Sequence, residues 1–96
     1  MTESVRVVCR RNEDGWACSV SVGTGSGATS HEVIVSPQDL KRLAGGATDP
    51  SQLVAASFEF LLERESKYSI LRRFDLAVIA RYFPEYPDKI IRRLTR

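Results

Sequence analysis

Arginine and lysine are concentrated in the C-terminal third of this 96-residue chain, and their chemistry is the binding of anions. Residues 1–63 carry five of these cations against eight Asp or Glu, whereas residues 64–96 carry nine against four, for a net charge of +2. This imbalance predicts a C-terminal surface that attracts nucleic acid or an acidic protein. The predicted surface consists of Arg72, Arg73, Arg81, Lys89, Arg92 and Arg93.

Residue types that support catalysis are few, and none has a suitable partner in the sequence. Glu59 and Glu63 lie one helical turn apart, as paired carboxylates would, but they share the most polar sector of their helix and are expected to face solvent. His31 is the single histidine and is expected at a strand edge. The glycine-rich stretch 23–27 lacks the Lys-Ser/Thr of a phosphate-binding loop. We therefore predict a non-enzymatic protein without catalytic, metal-binding or cofactor-binding residues. An enzyme of unrecognised type is the alternative.

The two cysteines lack the spacing of a zinc site and are expected to be reduced, buried side chains. Their relation depends on the hairpin around the turn signal at 12–15. A two-residue loop at 14–15 would place Cys9 opposite Val20, whereas a four-residue loop would place Cys9 directly opposite Cys18. Only the second register permits a disulfide, and the sequence leaves both registers open.

Strands are predicted in the first 36 residues. Apolar and polar residues alternate on both sides of the turn, from Val5 to Cys9 and from Cys18 to Val22, and His31–Val35 forms a third apolar run. Trp16, just after the turn, is either an anchor of the sheet core or an exposed interaction residue. These runs predict a three-stranded, mainly antiparallel sheet.

Two helix starts follow, each with a proline directly after a capping residue. Ser36 precedes a short helix that ends at Gly45-Gly46, and Asp49 precedes a longer helix that extends to Glu65. The longer helix is apolar over an arc of roughly 200°, so other elements must enclose it. Its predicted core residues are Leu53, Val54, Phe58, Phe60, Leu61 and Leu62, and Gln52, Glu59 and Glu63 are predicted to face water.

A third helix is predicted from Ser69 to Phe83, with the alternative that Asp75 caps a second segment within this region. Pro84 and Pro87 end this helix, because proline cannot continue one. Residues 88–96 form a helical turn or two, or they fray.

The predicted architecture is an α+β fold, in which an N-terminal three-stranded sheet is packed on one face by two or three C-terminal helices. Residues 1–86 form the single domain, and residues 87–96 form a basic C-terminal tail. The sequence contains neither a membrane-spanning apolar run nor a secretory signal, so we expect a cytoplasmic protein that does not bind membranes. We expect a monomer or weak homodimer, with an unknown protein or nucleic acid as partner.

The segments HEVIVSPQDLKRLAGG and DPSQLVAASFEFLLERES, within residues 31–66, resemble the ribbon-helix-helix family of DNA-binding repressors. In that family, the strand pairs with its twin across a dimer and lies in the DNA major groove. The resemblance implies a dimeric DNA-binding regulator in which the second helix presents its N-terminus to phosphate. The strand itself, with Glu32 and Ile34 on one face and His31, Val33 and Val35 on the other, lacks a basic reading face.

A second resemblance covers most of the chain. The runs SFEFLLERE at 57–65 and SILRRFDLAVIARYFPEY at 69–86 are similar to a small, uncharacterised bacterial family, and the similarity extends to the hairpin and to the SPQDL helix start. It implies a shared fold and no known activity.

The charge imbalance and the lack of catalytic groupings together predict the function. We predict a binding or adaptor domain that acts through the basic C-terminal surface.

Overall fold

The computed structural model describes residues 4–45 and 49–94, which form an α+β fold with a four-stranded mixed sheet and four α-helices. The strands are β1 Val5–Asn12, β2 Gly15–Val22, β3 Thr29–Val35 and β4 Arg73–Asp75, and the helices are α1 Pro37–Ala44, α2 Ser51–Leu62, α3 Ile79–Tyr82 and α4 Tyr86–Leu94. Short 3-10 turns occur at Gly25–Gly27, Lys67–Ser69 and Leu76–Val78. No helix within the described residues is long and apolar enough to cross a membrane.

The sheet has the order β1-β2-β3-β4, with antiparallel pairing among the first three strands and parallel pairing between β3 and β4. A parallel neighbour requires a crossover, and α1 and α2 provide it. The prediction of an α+β fold is confirmed, whereas the predicted three strands and two or three helices differ from the four strands and four α-helices observed. Both edges of β3 are paired within the chain. The strand therefore has no free edge for pairing with β3 of a second copy, which the resemblance to ribbon-helix-helix proteins implies.

The fourth strand replaces part of the helix that was predicted from Ser69 to Phe83. Its central residue Phe74 is buried and packs against Phe58, with ring centroids 6.1 Å apart. The amide of Glu32 donates to the Arg72 carbonyl at 2.7 Å, and Arg73 forms an ion pair with Glu32 at 2.9 Å. These contacts with β3 override the local helical spacing. Asp75 precedes the 3-10 turn Leu76–Val78, so the region is divided near Asp75 as the alternative predicted, but its side chain forms no capping hydrogen bond and the following α3 has only four residues.

The hairpin of β1 and β2 has the register that aligns Arg11 with Trp16 and Cys9 with Cys18. The ladder extends one further pair to Asn12 and Gly15, so the turn is tighter than predicted.

The two cysteines form a disulfide, with their Cα atoms 3.9 Å apart. The expectation of reduced cysteines is therefore wrong, because the register places the two side chains directly opposite each other. A disulfide is favoured by oxidising compartments, and the cytoplasmic location stays a prediction.

The two predicted helix starts are present. At α1, the Ser36 hydroxyl accepts a hydrogen bond from the Asp39 amide at 3.1 Å, and the helix ends at Gly45 in the left-handed conformation. At α2, the Asp49 carboxylate accepts from the Ser51 amide at 2.9 Å, although Pro50 occupies the capping position and the helix ends at Leu62. Gly46, the second glycine of the predicted stop, lies outside the described residues.

Helix α2 lies at the centre of the helical layer, as its broad apolar arc predicted. The predicted core residues are buried except Leu62, which is half-buried. The residues predicted to face water, Gln52, Glu59 and Glu63, are exposed. Helix α4 covers most of the segment 88–96, for which fraying was one alternative, and its residues Tyr86 and Ile90 are buried. Trp16 is half-buried against the core, and the guanidinium of Arg11 lies 5.1 Å from the centroid of its ring.

A chain of buried hydrogen bonds joins α2 to α4. The Ser57 hydroxyl donates to the Leu53 carbonyl at 2.7 Å, so its oxygen accepts from the Tyr86 hydroxyl, also at 2.7 Å. Burial raises the pKa of the Tyr86 phenol far above its ordinary value, although the hydrogen bond with Ser57 opposes this shift. The phenol therefore stays neutral and remains a donor at physiological pH.

We expect Ser57→Ala to destabilise the protein more than Tyr86→Phe. Removing Ser57 leaves the buried Tyr86 donor without an acceptor, which costs about 1–3 kcal/mol, whereas Tyr86→Phe removes the donor itself and costs about 1 kcal/mol. The double variant should be more stable than the sum of the single effects predicts, because it leaves no unpaired donor. Urea unfolding of the four proteins measures these differences, and additive effects would contradict the direction of donation.

Candidate protein-binding groove

An apolar groove of about 340 Å³ lies between the end of α2 and the segment that contains β4 and α3. Its lining residues are Leu61, Glu65, Ser69, Ile70, Leu71, Phe74, Val78, Ile79, Tyr82 and Phe83. All ten lie within residues 57–65 and 69–86. Residues 69–83, which line most of the groove, comprise β4, a 3-10 turn and α3 instead of the single helix that the sequence predicts.

The groove has a buried floor and an exposed apolar rim. Its floor includes Leu61, Ile70 and Ile79, all at most 6% exposed and all within the main core cluster. On the rim, Leu71 is 50% exposed and Tyr82 is 68% exposed. Large apolar side chains with that exposure, next to a preformed concavity, are typical of a site where another molecule binds.

His31 holds one wall of the groove in position. This residue lies on the inner face of β3, where its Nδ1 is 2.8 Å from the Leu71 carbonyl oxygen and its Nε2 is 2.9 Å from the Thr29 hydroxyl oxygen. A carbonyl only accepts, so Nδ1 carries the proton and donates to Leu71. The ring also packs against Phe58, with centroids 5.3 Å apart. His31 is therefore a buried structural residue within a central strand. The expectation that it lies at an edge is wrong.

Two residues of the predicted basic surface flank the groove. Arg72 follows the rim residue Leu71, and Arg81 precedes the rim residue Tyr82; both are exposed. Among the residues that the structure describes, neither has a carboxylate within ion-pair distance, so both charges are available to an outside partner. Glu65 is the acidic residue that lines the groove.

The other four residues of the predicted surface are spread over different parts of the fold. Arg73 points to the sheet face opposite the helices and bonds to Glu32 there. Lys89 and Arg92 are exposed on α4. Arg93, also on α4, forms ion pairs with Glu59 of α2, at 3.9 Å, and with Glu63, which caps the C-terminus of α2. The six residues thus occupy both faces of the sheet.

Glu59 and Glu63 contribute to the attachment of α4. The hydrogen bond from Arg93 is the main cause that lowers the pKa of Glu63 below its usual range. Stability from this pair is therefore present above the ordinary glutamate pKa and is lost as the pH falls through the lowered value. Both carboxylates of this pair therefore form ion pairs with a cation of the same chain.

The groove offers contact area and charge, and little reactive chemistry. Within residues 4–45 and 49–94, no three His, Cys, Asp or Glu side chains lie close enough to hold a metal ion. Comparisons of the chain with protein families, with curated proteins and with solved structures found no significant match.

Proposed function

We propose that this protein is a non-enzymatic binding module that holds an apolar side chain of a partner protein in the groove beside α3. The observation that supports this function is the combination of a buried, preformed floor with the exposed rim residues Leu71 and Tyr82. Exposed aromatic and aliphatic side chains around a concavity provide the contact area that dominates protein recognition.

Charge indicates which partner segments are favoured. Arg72 and Arg81 carry uncompensated positive charge beside the two rim residues, whereas Glu65 is the single carboxylate in the lining. A partner segment with a large apolar anchor and flanking Asp or Glu would satisfy both features. In this proposal, the functional part of the predicted basic C-terminal surface is the groove with its two flanking arginines. Of the two predicted partner classes, protein and nucleic acid, this arrangement favours protein.

Selection from a random peptide library displayed on phage tests the proposed ligand class. We expect the selected peptides to contain Leu, Phe, Trp or Met as an anchor with acidic neighbours. A synthetic peptide of the selected sequence should bind Leu71→Asp at least about tenfold more weakly than the wild type, because the substitution places a charge on the apolar rim.

Val8→Asp is the matched control for this experiment. Val8 is 71% exposed on the open face of the sheet and does not line the groove, so its substitution changes the charge by the same amount elsewhere. Equal loss of affinity in both variants, peptides without an apolar anchor, or no selected peptide at all would each contradict the proposal.

A further inference from the structure

The free edge of β1 is a second interaction surface, separate from the groove. Strand β1 is eight residues long and lies at one end of the sheet, and no described strand pairs with its outer side. The opposite edge strand, β4, has three residues. A long edge strand exposes a row of backbone donors and acceptors, and proteins usually protect such an edge.

The register shows which backbone groups point outward. The Ser4 carbonyl accepts from the Gly23 amide at 2.8 Å, so even-numbered residues of β1 direct their backbone groups towards β2. The short Cα–Cα distance of 3.9 Å between Cys9 and Cys18 agrees with this, because closely spaced pairs are those without mutual hydrogen bonds. The N–H and C=O groups of Val5, Val7, Cys9 and Arg11 therefore point away from the sheet.

The side chains of β1 divide into two different faces. Val5, Val7 and Cys9 point to the helical side, where they are half-buried against the core, whereas Arg6 and Arg10 are exposed on the open face. Arg10 forms an ion pair with Glu32 at 3.6 Å. Arg6 has no carboxylate partner among the described residues. The strand sequence VRVVCRRN contains no acidic residue.

Pairing with a second copy of this chain is disfavoured by the same arginines. In antiparallel pairing, outward-pointing residues must face one another, so each register with substantial overlap places Arg6 or Arg10 opposite or diagonal to an arginine of the other copy. The strand supplies no carboxylate to offset this repulsion. The charge of the edge therefore selects against self-pairing and in favour of an acidic strand.

We propose that β1 accepts an extended segment of a partner protein as a fifth strand, in which acidic and apolar residues alternate. Its backbone pairs with the outward groups of Val5, Val7 and Cys9. Its apolar residues extend the half-buried face, and its acidic residues lie beside Arg6 and Arg10 on the open face. The disulfide between Cys9 and Cys18 fixes the middle of the edge strand to the sheet, which reduces the ordering cost of binding.

The probe is a fluorescein-labelled peptide of about ten residues, the length of a long strand, in which Glu and Val alternate. Fluorescence anisotropy with the full chain measures its affinity. We expect binding by this peptide, and none by its Lys-Val counterpart or by a version N-methylated at every residue, which has no N–H group for the backbone ladder. Amide hydrogen exchange at Val5, Val7 and Cys9 should slow in the complex.

Arg6→Glu should weaken binding about tenfold, whereas Lys89→Glu, which makes the same charge change on α4, should leave it within about twofold. Tyr82→Ala should not change it, which separates this edge from the groove. Equal weakening by Arg6→Glu and Lys89→Glu would overturn the proposal, because it would indicate non-specific attraction. So would undiminished binding of the N-methylated peptide, absence of binding at millimolar concentration, or tighter binding of single-stranded nucleic acid.

Discussion

Phe58→Ala is expected to lower the free energy of unfolding by about 3–5 kcal/mol, because it leaves a cavity where several elements meet. Phe58 is fully buried, and its ring packs against His31 of β3 and Phe74 of β4. Loss of the ring removes a contact from α2 to each of these strands. For a domain of this size the change corresponds to a fall in melting temperature on the order of 20 °C.

Thermal unfolding followed by circular dichroism measures this effect. Gln52→Ala is the control, because Gln52 is exposed on the same helix and its replacement should change stability by no more than about 0.5 kcal/mol. If Phe58→Ala unfolds at nearly the wild-type temperature, α2 does not occupy the position between the strands that the structure gives it.

Gly15→Ala is expected to destabilise the protein by at least about 3 kcal/mol, for two separate reasons. Gly15 has φ of +151°, a backbone conformation that a residue with a Cβ rarely adopts. A Cβ at this position would also lie 2.2 Å from the carbonyl oxygen of Val35, at the end of β3. Because the clash is with backbone, the hairpin and β3 would have to separate to accept it.

Gly25→Ala separates these two causes. Gly25 also has positive φ, at +68°, but a Cβ there would meet no atom within 4 Å. This variant should therefore lose only the conformational contribution, on the order of 1 kcal/mol. Urea unfolding of both variants gives the comparison, and equal losses would contradict the close approach of the hairpin to β3.

The helical part of the fold was largely predictable from local residues. Ser36-Pro37 and Asp49-Pro50 mark helix starts by capping chemistry, and the apolar arc of α2 identifies a helix that must be enclosed. These signals depend on neighbours within four or five residues. They can therefore be recognised in the sequence without knowledge of the rest of the fold.

Strand β4 and the groove depend on contacts between distant residues. Phe74 has helical spacing from Ile70 and Val78, and its position in a strand follows from Phe58 and Glu32, which are far away in sequence. His31 contacts the Leu71 carbonyl across 40 residues, so no local pattern shows that it supports the groove. The disulfide likewise followed from the hairpin register, which the turn residues alone left open.

The sequence shows the charge imbalance, but only the fold shows where the arginines lie and which of them have carboxylate partners. Arg72 and Arg81 flank the groove, whereas Arg73 and Arg93 bond to carboxylates of this chain on opposite faces of the sheet. A count of charges along the sequence does not distinguish an arginine that already has a carboxylate partner from one that can bind another molecule. The groove and the β1 edge give two places where uncompensated arginines lie beside apolar surface.

The affinity of a selected peptide for Tyr82→Ala, compared with Tyr68→Ala, tests the groove most directly. The two tyrosines are 68% and 72% exposed, but only Tyr82 lines the groove. Isothermal titration calorimetry should show that Tyr82→Ala weakens binding at least about tenfold, as loss of an aromatic hot spot does, while Tyr68→Ala stays within about twofold of the wild type. Equal affinities of the two variants would contradict the assignment of partner binding to this groove.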